Sequence, residues 1–353
     1  MVENNSISSP FVSVIIVNYN GKNHILRCLG SLSKQTYRNF EVIFVDNAST
    51  DGSVEYLKEV KRYLDFPSLR IIVSNVNLGC CGGNNLGIKY ARGEYLILLN
   101  PDTYVAPTWL EELVKAARSD GKIGICQSKI LYPDHRINTT GGLIDFYGLA
   151  ACRGIGEIDR CQYDESLEDF FFASGASLLI KKSVFEDIGP LDDKLFLYYD
   201  DVDLSWRARL KGYHIHYVPA SLCIHFESSS FKQFREASLL SFYYNCRNRI
   251  RVLLKNYGSY NVIKRIPITL LMSLAESLSI SIKKRDSRAI FMFLKALLWN
   301  IRNLKDTWKE RRHIQKSRII SDKEIEKFMH QPAFIIESFK RRLYKNERKQ
   351  YVA

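Results

Sequence analysis

The chain has 353 residues, of which 46% are hydrophobic and 25% charged. This composition excludes disorder over most of the chain and leaves room for one large domain with an appendage, or for two domains. The formal net charge of +13 is concentrated near the C-terminus, because residues 241–353 carry 26 Lys and Arg against 9 Asp and Glu. A segment of that kind is attracted to phosphates, either on nucleic acid or on anionic lipid.

The eight cysteines show no CxxC pair and no spacing typical of a zinc site. No secretory hydrophobic stretch precedes the first predicted strand. We therefore expect reduced thiols in a cytoplasmic protein, since a disulfide framework would suit a much smaller secreted chain.

Four short apolar segments in the first 130 residues predict buried strands. They are rich in Val, Ile and Leu and apolar on both faces, as parallel strands covered by helices are. Their ranges are 12–17, 40–45, 69–73 and 94–99.

Helical patterns lie between these strands, at 23–35, 52–64 and 107–117. The last is predicted to begin with a capping box formed by Thr108 and Glu111. Alternation of strand and helix predicts a doubly wound, mainly parallel α/β sheet of the Rossmann type.

Polar residues follow each predicted strand where it ends. They occupy Asn18–Asn20, Asp46–Ser53, 74–79 and Asn100–Thr103. In an open parallel sheet such segments meet at the carboxyl edge, where these folds bind ligands. Asn, Asp, Gly and Ser are also ordinary turn formers, but four such exits at one edge favour a binding crevice.

Within these exits, two carboxylates are candidates for ligand binding. Asp102, at a strand end beside a phosphate-accepting crevice, could hold a divalent cation that bridges two phosphate oxygens. Asp46 could accept hydrogen bonds from a base or from ribose hydroxyls. The glycines of 77–87 allow backbone to come close to a ligand or to another element, but they form neither a GxGxxG fingerprint nor a P-loop.

Six motifs in this order and spacing resemble the inverting family 2 glycosyltransferases with the GT-A fold, and most closely their rhamnosyltransferase-like branch. The resemblance runs from Val12 to about Arg251. The motifs are VSVIIVNYN, VDNASTDGS, NLGCCGGNN, LLNPDT, GASLLIKKSVFEDIG and YYDDVDLSWRARLKGY.

The resemblance implies a role for individual residues of the crevice. Asp102 would be the metal-binding acid of a D-x-D-like motif in which Asn100 replaces the first Asp, and His225 would be a second ligand to metal or diphosphate. The cation would be Mn²⁺ or Mg²⁺. Residues implied to line or close the nucleoside site are Asn18, Tyr19, Asn20, Asp46, Asn77 and Asn84.

The family motif E-D-V-D-L corresponds here to residues 200–204, and its second acid is the catalytic base. Inversion at an anomeric carbon needs one carboxylate opposite the departing nucleotide, to take the proton of the attacking hydroxyl. The resemblance therefore implies that Asp201 is the base. Asp200 would point elsewhere if a helix begins here, and Asp203 is expected to make a structural or capping contact.

Three large side chains follow these acids. Arg207 and Arg209 could clamp the diphosphate, because a planar guanidinium matches phosphate oxygens, or could pair with the adjacent acids. Trp206 could stack on a sugar or fill the core, and we favour the core.

From about 135 the pattern changes, with a strand leading into a helix predicted to be capped by Ser183 and Glu186. We predict two domains: a catalytic domain at 1–230 and a basic helical extension at 231–353. Two apolar stretches of the extension, 266–282 and 290–301, are too short or too interrupted for a membrane span. Cations follow both, which suggests helices lying in an anionic membrane surface, although an ordinary packed extension is the alternative.

The function expected is transfer of one sugar, with inversion, from a nucleotide-diphosphate sugar to a saccharide acceptor that is lipid-linked if the extension meets a membrane. The resemblance suggests dTDP-rhamnose as donor and polysaccharide or glycan assembly as the process. Location would be cytoplasmic, peripheral at the cytoplasmic membrane face. A processive synthase is disfavoured because no QxxRW motif is present.

The alternative is a protein without catalysis, which binds nucleotide-sugar or uses its basic region on nucleic acid. Unpaired carboxylates at positions 102 and 201 would be a liability in a sensor. The extension lacks the aromatic and Gly-rich signatures of common RNA modules, so no nucleic acid is expected. Nucleotidyl transfer is a third reading, but NYNGKN after the first strand is a poor phosphate loop.

Overall fold

A nine-stranded sheet forms the centre of the protein, in a computed structural model that describes residues 10–226 and 235–331. The predicted domain boundary at 230–231 lies outside the described residues, as do the basic residues after 331. The eight cysteines all fall within the described ranges and are free thiols.

The strands that build this sheet alternate with helices over the first half of the chain. The sheet strands are β1 (Val12–Asn18), β2 (Phe40–Asn47), β3 (Leu69–Ser74), β4 (Tyr95–Leu99), β5 (Thr103–Val105), β6 (Ile123–Leu131), β7 (Ile137–Thr139), β10 (Ser177–Lys181) and β11 (His214–His225). A separate two-stranded ribbon consists of β8 (Gly142–Ile144) and β9 (Ala150–Cys152).

Eleven α-helices accompany these strands in the described residues. Six belong to the sheet-bearing part: α1 (Lys22–Leu32), α2 (Ser53–Val60), α3 (Gly79–Ile88), α4 (Trp109–Ser119), α5 (Lys182–Ile188) and α6 (Asp200–Leu210). The other five follow it: α7 (Arg235–Asn256), α8 (Ser259–Lys284), α9 (Arg288–Arg302), α10 (Leu304–Ser317) and α11 (Asp322–Ile325).

Strand order across the sheet is β3–β2–β1–β4–β10–β6–β11–β5, with β7 paired to β6. The first four strands are mutually parallel, as their apolar composition predicts, whereas β10 runs antiparallel between β4 and β6. The chain leaves β1 toward β2 on one side and returns to β4 on the other. This reversal opens a crevice at the carboxyl ends of β1 and β4, which is where such sheets bind ligands.

Helices cover both faces of the sheet, so the predicted doubly wound architecture is confirmed. Alternate residues of β1 point to opposite faces. Val14 and Ile16 pack against α1 and α4, while Ile15 packs toward α3 and the later helices. Two apolar cores result, one on each face.

Two of the predicted helix caps are wrong. Thr108 is the N-cap residue of α4 but its side chain makes no capping bond, and the Glu111 carboxylate instead accepts a hydrogen bond from the Thr36 hydroxyl at 2.7 Å. Helix α5 begins at Lys182, so Ser183 lies inside it. At α4, Glu111 binds Thr36 of another element instead of closing a capping box. At α5, strand β10 runs directly into the helix, so no separate capping residue precedes it.

The glycine-rich segment after β3 forms helix α3, which its composition disfavours. A Cβ atom on Gly87 would lie 2.6 Å from Cγ2 of Ile15, and one on Gly83 would lie 2.5 Å from Cγ1 of Val17. These glycines therefore allow α3 to press directly against β1. The glycines predict a close approach to another element, and that element is β1.

The C-terminal helices pack on one another and on the sheet-bearing part. Helices α7, α8 and α9 pack on one another, and α6 packs on α7. The two predicted apolar stretches lie within α8 and α9. Among the described residues, α8 is the one helix long and apolar enough to span a membrane by length and composition.

Candidate active site

The exits of β1 and β2 are joined by buried hydrogen bonds. Asn18 and Asp46 are register partners, and Nδ2 of Asn18 donates to Oδ1 of Asp46 at 3.1 Å and to Oγ of Ser49 at 3.2 Å. The backbone N–H of Ser49 donates to Oδ2 of Asp46. The buried Oδ1 of Asn18 finds no hydrogen-bond partner among the described residues. Asn18 and Asp46 are therefore fixed side by side, with one buried acceptor that has no partner among the described residues.

Tyr19 and Asn20 lie at the mouth of this crevice. The Asn20 carboxamide accepts a hydrogen bond from the Thr50 N–H at 2.7 Å, and the Asn20 N–H donates to the Ser49 hydroxyl. Tyr19 is 52% exposed, an unusual degree for a large aromatic residue at a strand end. Its ring is available to stack on a planar group.

Asn47, which sequence reasoning did not single out, ties the exit of β2 to that of β3. Its Nδ2 donates to Oδ1 of Asn77 and to the carbonyl of Gly79, both at 3.0 Å, and its Oδ1 accepts from the Leu78 N–H. Asn77 also accepts from the Gly79 N–H at 2.9 Å. The position of Asn47 in VDNAST was the available signal, because it directly follows Asp46.

Asn84 lies one turn into α3 and does not contact Asn77. Its Nδ2 donates to the carbonyl of Cys80 at 3.0 Å and lies 3.4 Å from the Cys80 sulfur. That thiol in turn donates to Oδ2 of Asp200. Asn84 thus joins the helix after β3 to the acidic helix α6.

Asp102 and His225 meet at the exit of β4. Nε2 of His225 lies 3.1 Å from Oδ1 of Asp102 and 3.5 Å from the Asn100 amide nitrogen. Both Asp102 and His225 are largely buried, and Nδ1 of His225 has no partner among the described residues. Pairing of β11 with β5, which aligns His225 with Thr103, brings these distant residues together.

This pair offers two ligands for a cation. No group of three or more His, Cys, Asp or Glu side chains in the described ranges could hold a metal by itself. One carboxylate and one imidazole suit a Mn²⁺ or Mg²⁺ ion whose other ligands are phosphate oxygens and water. The donor set fits a metal that arrives with a nucleotide diphosphate.

Asp200 and Asp201 open helix α6 and point to different partners. Asp201 is partly buried and accepts hydrogen bonds from the backbone N–H groups of Gly175 (3.3 Å) and Val202 (2.8 Å). Burial, and then the adjacent Asp200 carboxylate, raise the pKa of Asp201 to about 7. Burial also raises the pKa of Asp200. A carboxylate of this kind takes up a proton readily at neutral pH, as a general base must.

Backbone contacts place Asp201 near the exit of β4. Gly175, which donates to Asp201, precedes Ala176, whose carbonyl accepts from the Asn100 N–H at 3.0 Å. Asp102 follows two residues after Asn100. The candidate base and the candidate metal ligands therefore border the same edge of the sheet.

The loop before α6 is strained. Phe196, Tyr198 and Tyr199 have φ angles of 63°, 66° and 65°, in the left-handed region that non-glycine residues rarely adopt. Such strain persists only where the surroundings enforce it, and it is concentrated at functional sites. The loop ends where the two acids begin.

Helix α7 holds this loop in place through Asn248, another residue that sequence reasoning missed. Nδ2 of Asn248 lies 3.0, 2.7 and 2.9 Å from the carbonyl oxygens of Leu195, Leu197 and Tyr198. On the other side, the Cys80 N–H donates to the Phe196 carbonyl. No local pattern reveals such an asparagine, because its partners lie about fifty residues earlier.

Asp203 makes the structural contact that was predicted for it. Its carboxylate is fully buried and accepts from Arg207 (2.9 Å), Lys255 (3.1 Å) and Asn256 (3.0 Å). Burial opposes ionisation, but Lys255 and Arg207 outweigh it and lower the pKa of Asp203. Asp203 is therefore an internal ion-pair partner.

Arg207 and Arg209, the two candidates for diphosphate binding, make their hydrogen bonds inside the protein. Both are buried: Arg207 pairs with Asp203 and donates to the carbonyls of Ile188 and Gly189, and Arg209 donates to those of Phe170 and Phe171. Their guanidinium groups satisfy internal backbone acceptors instead of facing the crevice.

Trp206 likewise belongs to the core and not to a sugar site. It is fully buried, with edge-on contacts to Phe171 and Tyr257 at ring separations of 5.2 and 4.8 Å. Helix α6 thus presents Asp201 outward while its remaining large side chains anchor it.

Curated relatives match much of the chain. Glycosyltransferase AglE of Haloferax volcanii is 29% identical over 211 residues, which are 58% of this chain and 64% of that protein. The N-acetylglucosaminyl-diphospho-decaprenol L-rhamnosyltransferase of Mycobacterium tuberculosis is 29% identical over 239 residues, 62% of this chain and 76% of that protein. An uncharacterised Sinorhizobium fredii protein is 30% identical, but the match spans a quarter of its length. The chain thus spans less than two thirds of AglE and of the Sinorhizobium protein.

A solved structure shares the fold. The mannosyltransferase PcManGT of Pyrobaculum calidifontis, in complex with GDP-Man and Mn²⁺, superposes with a TM-score of 0.53 at 15% identity, covering 87% of this chain and 86% of that one. The architecture is accordingly the GT-A fold with a helical C-terminal region. The family model described as Glycosyl transferase family 2 matches residues 13–189, half of the chain. The chain therefore belongs to glycosyl transferase family 2.

Proposed function

We propose that this protein is an inverting glycosyltransferase that moves one hexosyl unit from a nucleotide-diphosphate sugar to a saccharide acceptor. One observation carries the proposal. Asn18 with Asp46, Asp102 with His225, and the raised-pKa carboxylate Asp201 all border the carboxyl edge of one sheet. A nucleoside site, a diphosphate site and a base are what such a transfer needs.

The nucleoside end of the donor lies at the exits of β1 and β2. Asp46 and the unpartnered oxygen of Asn18 accept hydrogen bonds from the base or ribose, and the exposed ring of Tyr19 stacks on the base. Asn77 and Asn84 close the site indirectly, because one shapes the turn into α3 and the other links α3 to α6. A set of amides that is already held in place costs little reorganisation on binding.

Asp102 and His225 would hold a divalent cation together with the diphosphate. Such a cation, when bound, neutralises charge on the departing nucleotide. The chain's own part is to hold the carboxylate and imidazole 3.1 Å apart in a largely buried setting. PcManGT, solved with GDP-Man and Mn²⁺, supports a divalent cation without deciding between Mn²⁺ and Mg²⁺.

Asp201 acts as the general base. Its carboxylate accepts the proton of the acceptor hydroxyl as the oxygen attacks the anomeric carbon, and the bond to the diphosphate breaks on the opposite face. The two backbone N–H groups on Asp201 orient it without neutralising it. Asp200 is turned away toward the Cys80 thiol, so its charge tunes Asp201 and does not compete for the acceptor.

For the substrates, dTDP-rhamnose is the donor we propose, with a lipid-linked saccharide as acceptor in polysaccharide assembly at the cytoplasmic face of a membrane. Support comes from the relative named for L-rhamnosyl transfer to N-acetylglucosaminyl-diphospho-decaprenol. The exposed apolar residues of the C-terminal helices agree with an acceptor presented at a membrane.

Calorimetric titration with dTDP, UDP and GDP, each with and without Mn²⁺, tests the crevice. We expect dTDP to bind and Mn²⁺ to tighten its binding, with Asp102→Asn removing the metal effect. If UDP or GDP binds and dTDP does not, the proposed donor changes to a sugar carried by that nucleotide. Failure of all three nucleotides under both conditions would exclude a nucleotide-sugar enzyme.

A further inference from the structure

Helix α8 has the reverse of the usual amphipathic arrangement. In a soluble protein the buried stripe of a surface helix is apolar and the outer face polar. Here the buried residues are Asn261, Thr269, Ser273 and Ser277, all small or polar. The outward face instead carries large apolar side chains at helical spacing, namely Tyr260, Ile263, Leu271, Leu274, Leu278 and Ile282.

The polar stripe of α8 is bound along its length to the rest of the protein. Thr269 donates to the Tyr147 carbonyl at 3.2 Å, and Arg249 of α7 donates to the Ser273 hydroxyl at 2.5 Å. Asn261 donates to Asp322 at 2.9 Å. Because these bonds keep one face of α8 on protein, the helix cannot be surrounded by hydrocarbon as a spanning helix is.

Helix α9 also carries apolar side chains on its outward face, although its buried residues Ala289, Phe293 and Ala296 are apolar as well. Its outward face carries Phe291, Leu294, Leu298 and Ile301, which are 61%, 54%, 45% and 68% exposed. Asn300, on the inner face, donates to the Arg247 carbonyl of α7 at 3.0 Å. Both helices therefore turn apolar side chains away from α7, and we call these two outward faces the apolar ledge.

Cations accompany the apolar ledge. Four exposed cations flank the connection between α8 and α9: Lys283 and Lys284 end α8, Arg285 follows it, and Arg288, which pairs with Asp286, begins α9. On α9 itself, Lys295 and Arg302 are exposed beside the apolar residues. Large exposed apolar patches mark an interaction surface, and cations next to one favour an anionic partner.

We propose that the apolar ledge binds the surface of an anionic lipid bilayer, with α8 and α9 lying in the plane of the membrane. The apolar side chains enter the boundary between headgroups and acyl chains, and the cations contact anionic headgroups. A second copy of the chain is a poorer occupant, because pairing two such faces would bring like charges together. This binding does not depend on the chemistry proposed for the crevice.

Vesicle flotation of the full chain tests the proposal. We expect binding to phosphatidylcholine vesicles that contain 30% phosphatidylglycerol and at least about 100-fold weaker binding to phosphatidylcholine alone at about 0.1 M salt. Bound protein should be released by alkaline carbonate. The proposal that the ledge binds anionic lipid peripherally would be contradicted by any of three results. These are equal binding to both kinds of vesicle, no binding to either, and retention of the protein after carbonate.

Two variants separate the contributions. Leu271→Asn combined with Leu278→Asn and Phe291→Asn should abolish flotation, and Lys283→Glu with Lys284→Glu and Arg285→Glu should lower partition to anionic vesicles at least about 100-fold. The matched control reverses three exposed cations of the catalytic part, Lys34, Lys58 and Arg62, and should float like the parent chain. Loss of flotation in that control would mean that net charge alone drives binding, which contradicts the ledge.

Solution mass and catalysis complete the test. Sedimentation should show the same mass for the parent chain and the Asn variant, and both should transfer sugar equally to a water-soluble acceptor. A dimer of the parent chain that the Asn variant dissociates, without flotation of either, would assign the ledge to self-association and overturn the proposal.

Discussion

Nε2 of His225 lies 3.1 Å from Oδ1 of Asp102, although 123 residues separate them in the chain. Antiparallel pairing of β11 with the short strand β5 creates this contact. It places an imidazole beside a single carboxylate, in a motif that has Asn100 where an acid is common.

Asp102→Asn and His225→Ala should each weaken Mn²⁺-dependent binding of the nucleotide diphosphate by about 10-fold or more. Each variant removes one of the two proposed metal ligands, and with it the contact that positions the other. Calorimetry with and without Mn²⁺ measures the effect. His214→Ala, at the opposite end of β11, is the matched control and should bind as the parent chain does. Unchanged affinity in both site variants would place the ion elsewhere.

Asp201→Asn should lower turnover at least about 100-fold and leave nucleotide affinity near normal, since the base acts only on the acceptor hydroxyl. Single-turnover assays alongside calorimetry separate the two effects. Asp65→Asn, at an exposed carboxylate paired with Arg38, serves as the control. Comparable turnover in Asp201→Asn would remove Asp201 from the role of base.

Activity should rise with pH through about 7. Burial and the Asp200 charge raise the pKa of Asp201 to about 7, so below that pH the carboxyl is protonated and cannot accept the acceptor's proton. The prediction is an acidic limb in kcat/KM with an apparent pKa near 7. A rate that is flat from pH 5 to 8 would contradict it.

Asp200→Asn should move that acidic limb to lower pH. Removing the neighbouring negative charge makes ionisation of Asp201 easier, so its pKa falls while burial continues to raise it. The matched comparison is the profile of the parent chain in the same buffers. A limb that stays in place would mean that burial alone sets the pKa.

Asn248→Ala should lower kcat by about 10- to 100-fold with little change in donor KM, because loss of the amide frees the strained loop that positions Asp201. The control is Asn245→Ala, one turn earlier on α7, where an exposed asparagine donates only to the Ser241 carbonyl. If kcat and melting temperature fall together in Asn248→Ala, and Asn248→Gln restores neither, then Asn248 stabilises the fold and does not position Asp201.

Lys255→Met should destabilise the fold by about 3–5 kcal/mol, because the buried Lys255 ammonium contacts both Asp192 (2.6 Å) and Asp203 (3.1 Å). Urea denaturation at pH 7 measures the loss. An exposed Lys309→Met variant should differ from the parent chain by less than about 0.5 kcal/mol. A similar midpoint for both variants would contradict the role of this cluster.

The same cluster predicts the direction of acid denaturation. Burial opposes ionisation of Asp192, but Lys255 and Arg251 outweigh it, and the pKa values of Asp192 and Asp203 both lie below the ordinary Asp range. Their stabilisation is therefore complete above the unfolded-state pKa of about 3.9 and is lost as pH falls below it. Urea midpoints in the parent chain should fall below pH 4 more steeply than in Lys255→Met.

The first four strands, and the edge of the sheet at which the crevice lies, can be predicted from the order of residues in the chain. Strands buried on both faces must be apolar on both faces, and polar residues follow where the strands end, so the order of apolar and polar residues predicts β1 to β4 and the exits that hold Asn18, Asp46 and Asp102. The acids of α6 were recognisable from their motif.

Which polar side chains lie at the crevice and which are buried in the core depends on tertiary contacts. Asp203 and Arg207 are two and six residues from Asp201, yet they turn inward to bind buried partners, while Asn47 and Asn248 hold the loops around the site from separate elements. The faces of α8 were equally hidden, because a helix pattern shows that polar and apolar stripes exist but not which one meets the protein. Hydrogen bonds and ion pairs between residues distant in the chain fix these orientations, and they cannot be predicted from the neighbouring residues in the sequence.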